Sequence, residues 1–155
     1  MSLRSRVFEN PRLFRVVMSL YPPYLGAGIR VVHVSDNFGE VVVELRESKL
    51  TGNAFGTHFG GSLYSMTDPF YALMLVARLG PDYLVWDKAA QIDFVRPGTG
   101  TVTARFVLSD EQVEEVRAAT LNGGKFEPVY RLDIRNASNK VVARVTKTLH
   151  IRKRA

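Results

Sequence analysis

Asp68 is the residue best placed to do chemistry in this sequence, because it stands in an otherwise apolar stretch from Leu63 to Leu79. A carboxylate among apolar side chains is unfavourable unless it is paired, hydrogen-bonded or protonated. Pro69 follows it, has no N–H to donate to the Ser65 carbonyl and disfavours helical geometry at Asp68, so we expect a kink and a free acceptor at Ser65. Asp68 is therefore a candidate general base, and the alternative is that it only repairs the break at Pro69.

Two glycines and an asparagine precede this stretch. Gly60 and Gly61 expose backbone N–H groups at the start of the predicted helix, where such groups can polarise a carbonyl and hold its developing oxyanion. Close packing in a tight turn explains the same glycines. Asn53 lies beside Gly52 in a loop, where it can orient a water or a carbonyl, or simply form a turn.

The other candidates are a histidine and an adjacent acid and base. His58 lies near the helix entrance, where a neutral imidazole can donate to a carbonyl, relay a proton or cap the helix. Asp87 and Lys88 are neighbours on a predicted strand and so point to opposite faces. Lys88 shares a face with Trp86, which we interpret as the core side. It either pairs with Asp68 or Asp87, or extends to solvent from the strand end.

The elements that must position these residues follow from apolar periodicity and turn residues. A helix is predicted over 11–21, with Asn10 as its cap and Pro22 as its stop, and a long buried helix is predicted over about 60–79. A capping box at Ser109 starts a short helix. Strands are predicted at 29–35, 40–46, 84–94, 101–108, 128–135 and 140–152.

This order of elements indicates the fold class. The last four strands have connections short enough for an antiparallel sheet, which favours α+β over a parallel βαβ arrangement. A helix that is apolar on all sides belongs at the centre of a fold. We therefore predict one six-stranded antiparallel sheet wrapped around one long central helix.

Length and composition bound the possibilities. The chain has 155 residues, of which 46% are hydrophobic, as expected for a single domain over 1–155, with an N-terminal helical segment over 1–22 and a basic tail over 152–155. It has no cysteine, which excludes disulfides, thiol nucleophiles and thiolate metal sites. The net charge of +6 favours nucleic acid, anionic lipid or a phosphate-bearing ligand. Charged residues near the start interrupt any signal-peptide pattern, so we expect a cytoplasmic protein.

Three groups of residues carry a family resemblance: the run from Asn53 to Gly61, Asp68 in the helix, and the run from Ile92 to Gly98. They resemble the hotdog-fold acyl-CoA thioesterases. The runs 56–71 and 83–100 are more closely similar to uncharacterised hotdog proteins labelled as tetrameric acyl-CoA thioesterases, and the resemblance covers nearly the whole chain.

The resemblance implies roles for several residues. In thioesterases of the phenylacetate-pathway kind an asparagine precedes the catalytic acid by fifteen residues, as Asn53 precedes Asp68 here (68 − 53 = 15). Asp68 would then be the general base or nucleophile, Gly60 and Gly61 would supply oxyanion donors, and Asn53 would orient the substrate or water.

The sequence departs from the family pattern at two places. The histidine of the family's His-Gly-Gly motif is replaced by Phe59, while His58 stands one residue earlier. Asp87 occupies a second polar catalytic position where the family commonly has serine or threonine. We therefore predict that His58 or Asp87 assists Asp68 in catalysis, although neither residue matches the family pattern at its position.

The sequence thus predicts hydrolysis of an acyl-CoA-type thioester with no cofactor and no metal ion. Arg96 and Lys88 are the candidates for binding the phosphates of coenzyme A. The alternatives are a non-catalytic protein that binds acyl or other hydrophobic ligands, which Phe59 favours, and a 3-hydroxyacyl thioester dehydratase, which would need His58 to face an acid.

Other partners are predicted from charge and apolar patterns. Basic residues alternate with acids and no aromatic stripe accompanies them, so we expect no nucleic acid partner, and no membrane association either. Both faces of the strand at 101–108 are rich in apolar residues, which predicts a homodimer or homotetramer. In that assembly we expect the Asn53 loop of one chain to meet the helix start of another.

Overall fold

A computed structural model describes residues 3–154 of the chain. Over this range the chain forms six helices and seven strands. The helices are α1 (Leu3–Glu9), α2 (Pro11–Ser19), α3 (Pro22–Ala27), α4 (Gly60–Ser65), α5 (Phe70–Leu79) and α6 (Asp110–Ala119). The strands are β1 (Ile29–Val34), β2 (Glu40–Arg46), β3 (Tyr83–Phe94), β4 (Thr101–Val107), β5 (Lys125–Phe126), β6 (Val129–Asn136) and β7 (Val141–Lys153).

The strands form one sheet in the order β1-β2-β4-β6-β7-β3, and the two-residue strand β5 pairs with β7. Every pairing is antiparallel, which confirms the predicted α+β fold class. The core lies where α4 and α5 cross the sheet. Phe70 of α5 contacts Phe106 of β4 with ring centroids 5.1 Å apart, and both rings are fully buried.

The predicted central helix is divided in two. α4 ends at Ser65, residues 66–69 form a turn, and α5 begins at Phe70. Pro69 is the physical reason, because it has no N–H to continue the helical hydrogen bonds. Asp68 therefore lies in the break and not inside a continuous helix. The predicted free acceptor at Ser65 is wrong, because the N–H of Asp68 donates to that carbonyl at 3.3 Å.

The N-terminal segment is helical, but its helices end at different residues from those predicted. The side chain of Asn10 accepts a hydrogen bond from the N–H of Leu13 at 3.0 Å, as a helix cap does. Pro22 does not simply end the segment: it opens α3, since the first helical position needs no N–H. Ser19 of α2 bonds to the backbone of Val31 at the free side of β1 and so covers that sheet edge.

The opposite edge of the sheet is β3, the 12-residue strand that pairs only with β7 in this chain over the described residues. The predicted basic tail is largely part of the fold, because β7 extends to Lys153. The N–H of Arg154 then donates to the carbonyl of Asp82 at 2.7 Å. Ala155 lies outside the described residues. None of the helices in residues 3–154 is long and apolar enough to cross a membrane.

Candidate active site

Lys147 is a fully buried lysine at the centre of a polar cluster. It lies on β7 between Val145 and Leu149, two buried side chains of the same strand face. Its Nζ donates to the backbone carbonyl of Asp68 at 2.6 Å and lies 3.2 Å from Asp68 Oδ1. The same atom lies 3.2 Å from Asp87 Oδ1. A buried ammonium needs such partners, because leaving water is costly for a charge.

Asp68 has one engaged and one open carboxylate oxygen. Its Oδ1 accepts a hydrogen bond from the hydroxyl of Tyr64 at 2.9 Å and contacts Lys147. Its Oδ2 has no hydrogen-bond partner among the residues the structure describes. Half of the side chain is exposed. A carboxylate held through one oxygen and open at the other can act as a base or a nucleophile.

Asp87 is the more buried of the two carboxylates, with a side chain that is 25% exposed. Burial raises its pKa above the ordinary range, although the nearby charge of Lys147 acts in the opposite direction. Its Oδ1 is close enough to Lys147 for an ion pair, but the contact does not have hydrogen-bond geometry. Asp87 thus joins Asp68 on the helix side of the sheet.

Lys88 does not reach this cluster. The register of β3 against β7 shifts between Asp87 and Ala89, so Lys88 is the extra residue of a β-bulge. Its Nζ forms an ion pair with Glu127 at 2.6 Å. The possible pairing of Lys88 with Asp68 or Asp87 is therefore wrong, because strict alternation could not anticipate the bulge.

The surroundings of Lys88 lie on the other face of the sheet from Asp87. Trp86 stacks on His150 with ring centroids 4.2 Å apart, and His150 lies 2.9 Å from Glu127. Hydrogen bonds from Lys88 and His150 lower the pKa of Glu127 to about 2. Trp86 and Lys88 share a face as predicted, but it is the outer face of the sheet and not the core side.

Sequence reasoning missed Lys147 and Tyr64, although both carried a signal. Lys147 stands two residues after Val145 and two before Leu149, so it occupies the apolar face of an alternating strand. Tyr64 precedes Asp68 by four residues, a spacing at which helical side chains meet.

Asn53 and His58 form a second group of polar residues. The Asn53 side-chain amide donates to Thr57 Oγ1 at 2.9 Å and to the carbonyl of His58 at 3.1 Å. Its Oδ1 accepts from the N–H groups of Phe55 and Thr57. His58 is buried, and its Nε2 lies 2.9 Å from the carbonyl of Gly100. These contacts fix the loop before α4 against the connection between β3 and β4.

Gly60 and Gly61 begin α4 in a tightly packed setting. A Cβ on Gly60 would lie 3.1 Å from the ring of Phe94, and one on Gly61 would clash with the ring of Phe59. Close packing alone therefore accounts for both glycines. Gly60 and Asp68 stand at opposite ends of α4 and the turn that follows it, and the rise of ~1.5 Å per residue over α4 alone separates them by more than about 7 Å.

The structure therefore divides the predicted site residues between two places. Asp68 and Asp87 lie together with Lys147, whereas Asn53, His58, Gly60 and Gly61 lie at the other end of α4. Arg96 is exposed and follows Phe94, whose ring touches Gly60. The Asn53 loop contacts the residues before the helix start of its own chain. The expected meeting of this loop with the helix start of a second chain stays a prediction.

A pocket of about 440 Å³ adjoins Asp68. One wall comes from α2, α3 and the residues between them, and the other comes from α4, α5 and the turn that joins them. Its lining residues are Met18, Tyr21, Pro23, Tyr24, Tyr64, Ser65, Asp68, Pro69 and Leu73. Tyr24 is almost fully buried, and its hydroxyl has no hydrogen-bond partner among the described residues. Burial and the charge of Asp68 raise the pKa of Tyr24.

Several solved structures share this fold. PA5026 from Pseudomonas aeruginosa, a protein of unknown function described as a probable thioesterase, is 18% identical, with a TM-score of 0.82 over 93% of this chain and 96% of that one. The thioesterase HI1161 from Haemophilus influenzae is 19% identical, with a TM-score of 0.69 over 93% and 91%. The E. coli PaaI protein of the phenylacetic acid degradation operon is 23% identical, with a TM-score of 0.64 over 96% and 95%.

These similarities confirm the hotdog fold that the sequence predicted. Residues 10–151 match the model of a family described as a domain of unknown function, DUF4442. No curated protein matches the chain in sequence. Within the described residues, no group of three or more His, Cys, Asp or Glu side chains is arranged to hold a metal ion.

Proposed function

This chain belongs to the DUF4442 family, and from that premise we propose that it hydrolyses acyl thioesters, with Asp68 as its general base or nucleophile. The observation that carries the proposal is the open Oδ2 of Asp68 beside an apolar pocket. Two structural neighbours support the same reaction class: PA5026 is described as a probable thioesterase and HI1161 as a thioesterase.

Two routes are open to this carboxylate. As a general base, Asp68 takes a proton from a water that attacks the thioester carbonyl, and the tetrahedral intermediate then expels the thiolate. As a nucleophile, it attacks the carbonyl carbon itself, releases the thiolate and forms a mixed anhydride that water cleaves. Both routes release a carboxylic acid and a thiol.

The pocket beside Asp68 suits the acyl group. Met18, Pro23 and Leu73 give it an apolar lining, and its volume of about 440 Å³ lies within the range of small-molecule sites. Burying apolar acyl surface there would contribute about 25 cal/mol for each Å² removed from water.

A second subunit would complete the site. β3 is a long free edge that ends at the exposed Phe94, and such an edge can pair with another strand. Pairing of β3 with its own symmetry copy in antiparallel orientation brings the Phe94 end of one strand towards the Asp87 end of the other. Gly60, which touches Phe94, would then approach Asp68 of the second subunit.

In this homodimer, or in a homotetramer built from it, the two groups of site residues meet across the subunit boundary. The N–H groups of Gly60 and Gly61 would hold the oxyanion, and Arg96 would bind phosphates of coenzyme A. Glu127 offsets the charge of Lys88, so we expect Lys88 to contribute less to phosphate binding than Arg96. His58 Nε2 lies against the Gly100 carbonyl and faces no acid within residues 3–154, which disfavours the dehydratase alternative.

The test is thiol release from a panel of acyl-CoA substrates by wild type and by Asp68→Asn. The near-isosteric change removes proton-accepting capacity, so we expect kcat to fall at least about 100-fold, within the usual contribution of acid–base catalysis. Asp36→Asn is the matched control, because Asp36 is exposed in the turn between β1 and β2. Full kcat in Asp68→Asn contradicts the proposal, and binding of acyl-CoA without turnover in wild type favours the acyl-binding alternative.

A further inference from the structure

We propose that Lys147 is a positioning residue that keeps Asp68 ionised and oriented, and that Asp87 moderates this effect by sharing the charge of Lys147. A role for Lys147 in catalysis rests on the proposed function of Asp68. The contacts among Lys147, Asp68 and Asp87 do not depend on that function.

Orientation follows from the two contacts that Lys147 makes with Asp68. The ammonium binds the backbone carbonyl at 2.6 Å and the side-chain Oδ1 at 3.2 Å. The carbonyl is available because the helix is interrupted beside Pro69. One cation thus holds both the main chain and the side chain of Asp68, and Tyr64 adds a second donor to the same oxygen.

Ionisation follows from the charge balance. Lys147 is fully buried and lies 3.2 Å from a carboxylate oxygen of Asp68 and of Asp87. A cation at this distance favours the ionised form of a carboxylate, and a second carboxylate nearby disfavours it. When Asp87 is ionised, it offsets Lys147 and weakens its effect on Asp68. When Asp87 is neutral, the cation acts on Asp68 alone.

The other groups that surround Lys147 are phenols. Tyr64 comes from α4 and Tyr130 lies opposite Lys147 on β6, whereas Tyr24 of α3 lines the same pocket as Asp68. Burial raises the pKa of each of these three hydroxyls above its ordinary value, to about 12 for Tyr130. The two carboxylates are therefore the groups of this cluster that the experiment follows.

The experiment follows the carboxyl carbons of 13C-labelled aspartate by NMR from pH 3 to pH 9. Wild type is compared with Lys147→Met and Asp87→Asn, and Asp68→Asn assigns the Asp68 signal. We expect the Asp68 midpoint to move to higher pH in Lys147→Met, because the variant removes the cation that contacts Oδ1. In Asp87→Asn we expect it to move to lower pH. The control Lys140→Met changes an exposed lysine in the β6–β7 turn and should move nothing.

Kinetics give the second readout. The acidic limb of kcat/KM should move in the same directions in the two variants, whereas a merely structural lysine would change activity without opposite shifts. NMR shifts without turnover of any acyl thioester contradict the proposed function and leave the charge arrangement intact. If Lys147→Met does not fold, an unchanged Asp68 midpoint in Asp87→Asn still overturns the inference.

Discussion

The hydroxyl of Tyr64 donates a hydrogen bond of 2.9 Å to Oδ1 of Asp68, four residues further along the chain. We expect Tyr64→Phe to lower kcat about tenfold, since a hydrogen bond to a charged group contributes about 1.5–3 kcal/mol and partial exposure reduces this. The thermal midpoint should hardly change. Steady-state kinetics with melting curves check this, and Tyr83→Phe, outside the lining of the pocket, is the control. An unaltered kcat would mean that Lys147 alone holds Asp68.

Asp87 predicts a pH dependence of stability. Burial raises its pKa in the folded state, so the folded protein binds this proton more tightly than the unfolded chain, and stability from this group is lost as pH rises through the folded pKa. Asp87→Asn has no proton to lose at this position, so the variant does not lose this stability as pH rises. We expect the free energy of unfolding of the variant, relative to wild type, to increase as pH rises from 4 to 7 in urea denaturation. A relative stability that falls with pH would contradict the assigned direction.

The pocket predicts acyl-length selectivity. Leu73 lines the wall opposite the N-terminal helices, so Leu73→Trp should fill part of the space beside Asp68. We expect KM to rise at least fivefold for octanoyl-CoA and to change less than twofold for acetyl-CoA. Thiol-release kinetics measure both values. Leu50→Trp is the control, because Leu50 is 97% exposed. Equal effects on the two substrates would remove the pocket as the acyl site.

The free edge of β3 predicts the assembly. Ala89 and Gln91 are exposed in this chain, and in a symmetric strand pair centred on Ala90 a lysine at 89 would face the lysine at 91 of the other copy. We expect Ala89→Lys with Gln91→Lys to yield a 17.4 kDa monomer by light scattering and to abolish turnover. The double control Ala137→Lys with Ser138→Lys changes an exposed turn. An active wild-type monomer would refute the shared site.

Local signals were sufficient for much of the fold. The cap at Asn10, the capping box at Ser109 and the turn between β1 and β2 depend on neighbouring residues, and the structure contains all three. Pro69 indicated the break in the central helix for the same reason. Pro22 misled because a proline can end one helix and begin the next.

The candidate site was less predictable because its contacts are distant in sequence. Lys147 is 79 residues from Asp68, and only the sheet brings them together. A single bulge in β3 exchanged the expected faces of Asp87 and Lys88, which no alternation pattern reveals. Asn53 matched a family position, yet its hydrogen bonds within one chain serve its own loop.

The pocket lining and the charged cluster come from different parts of the chain. Residues 18–24 come before the first strand and contribute Met18, Tyr21, Pro23 and Tyr24, whereas the charged cluster is built from α4, β3 and β7. Under the proposed function, substrate preference can therefore diverge through mutations in a short N-terminal stretch while Asp68, Asp87 and Lys147 stay unchanged. Two proteins with this fold could share Asp68, Asp87 and Lys147 and still accept different acyl groups. Residues 18–24 are where their sequences should be compared first.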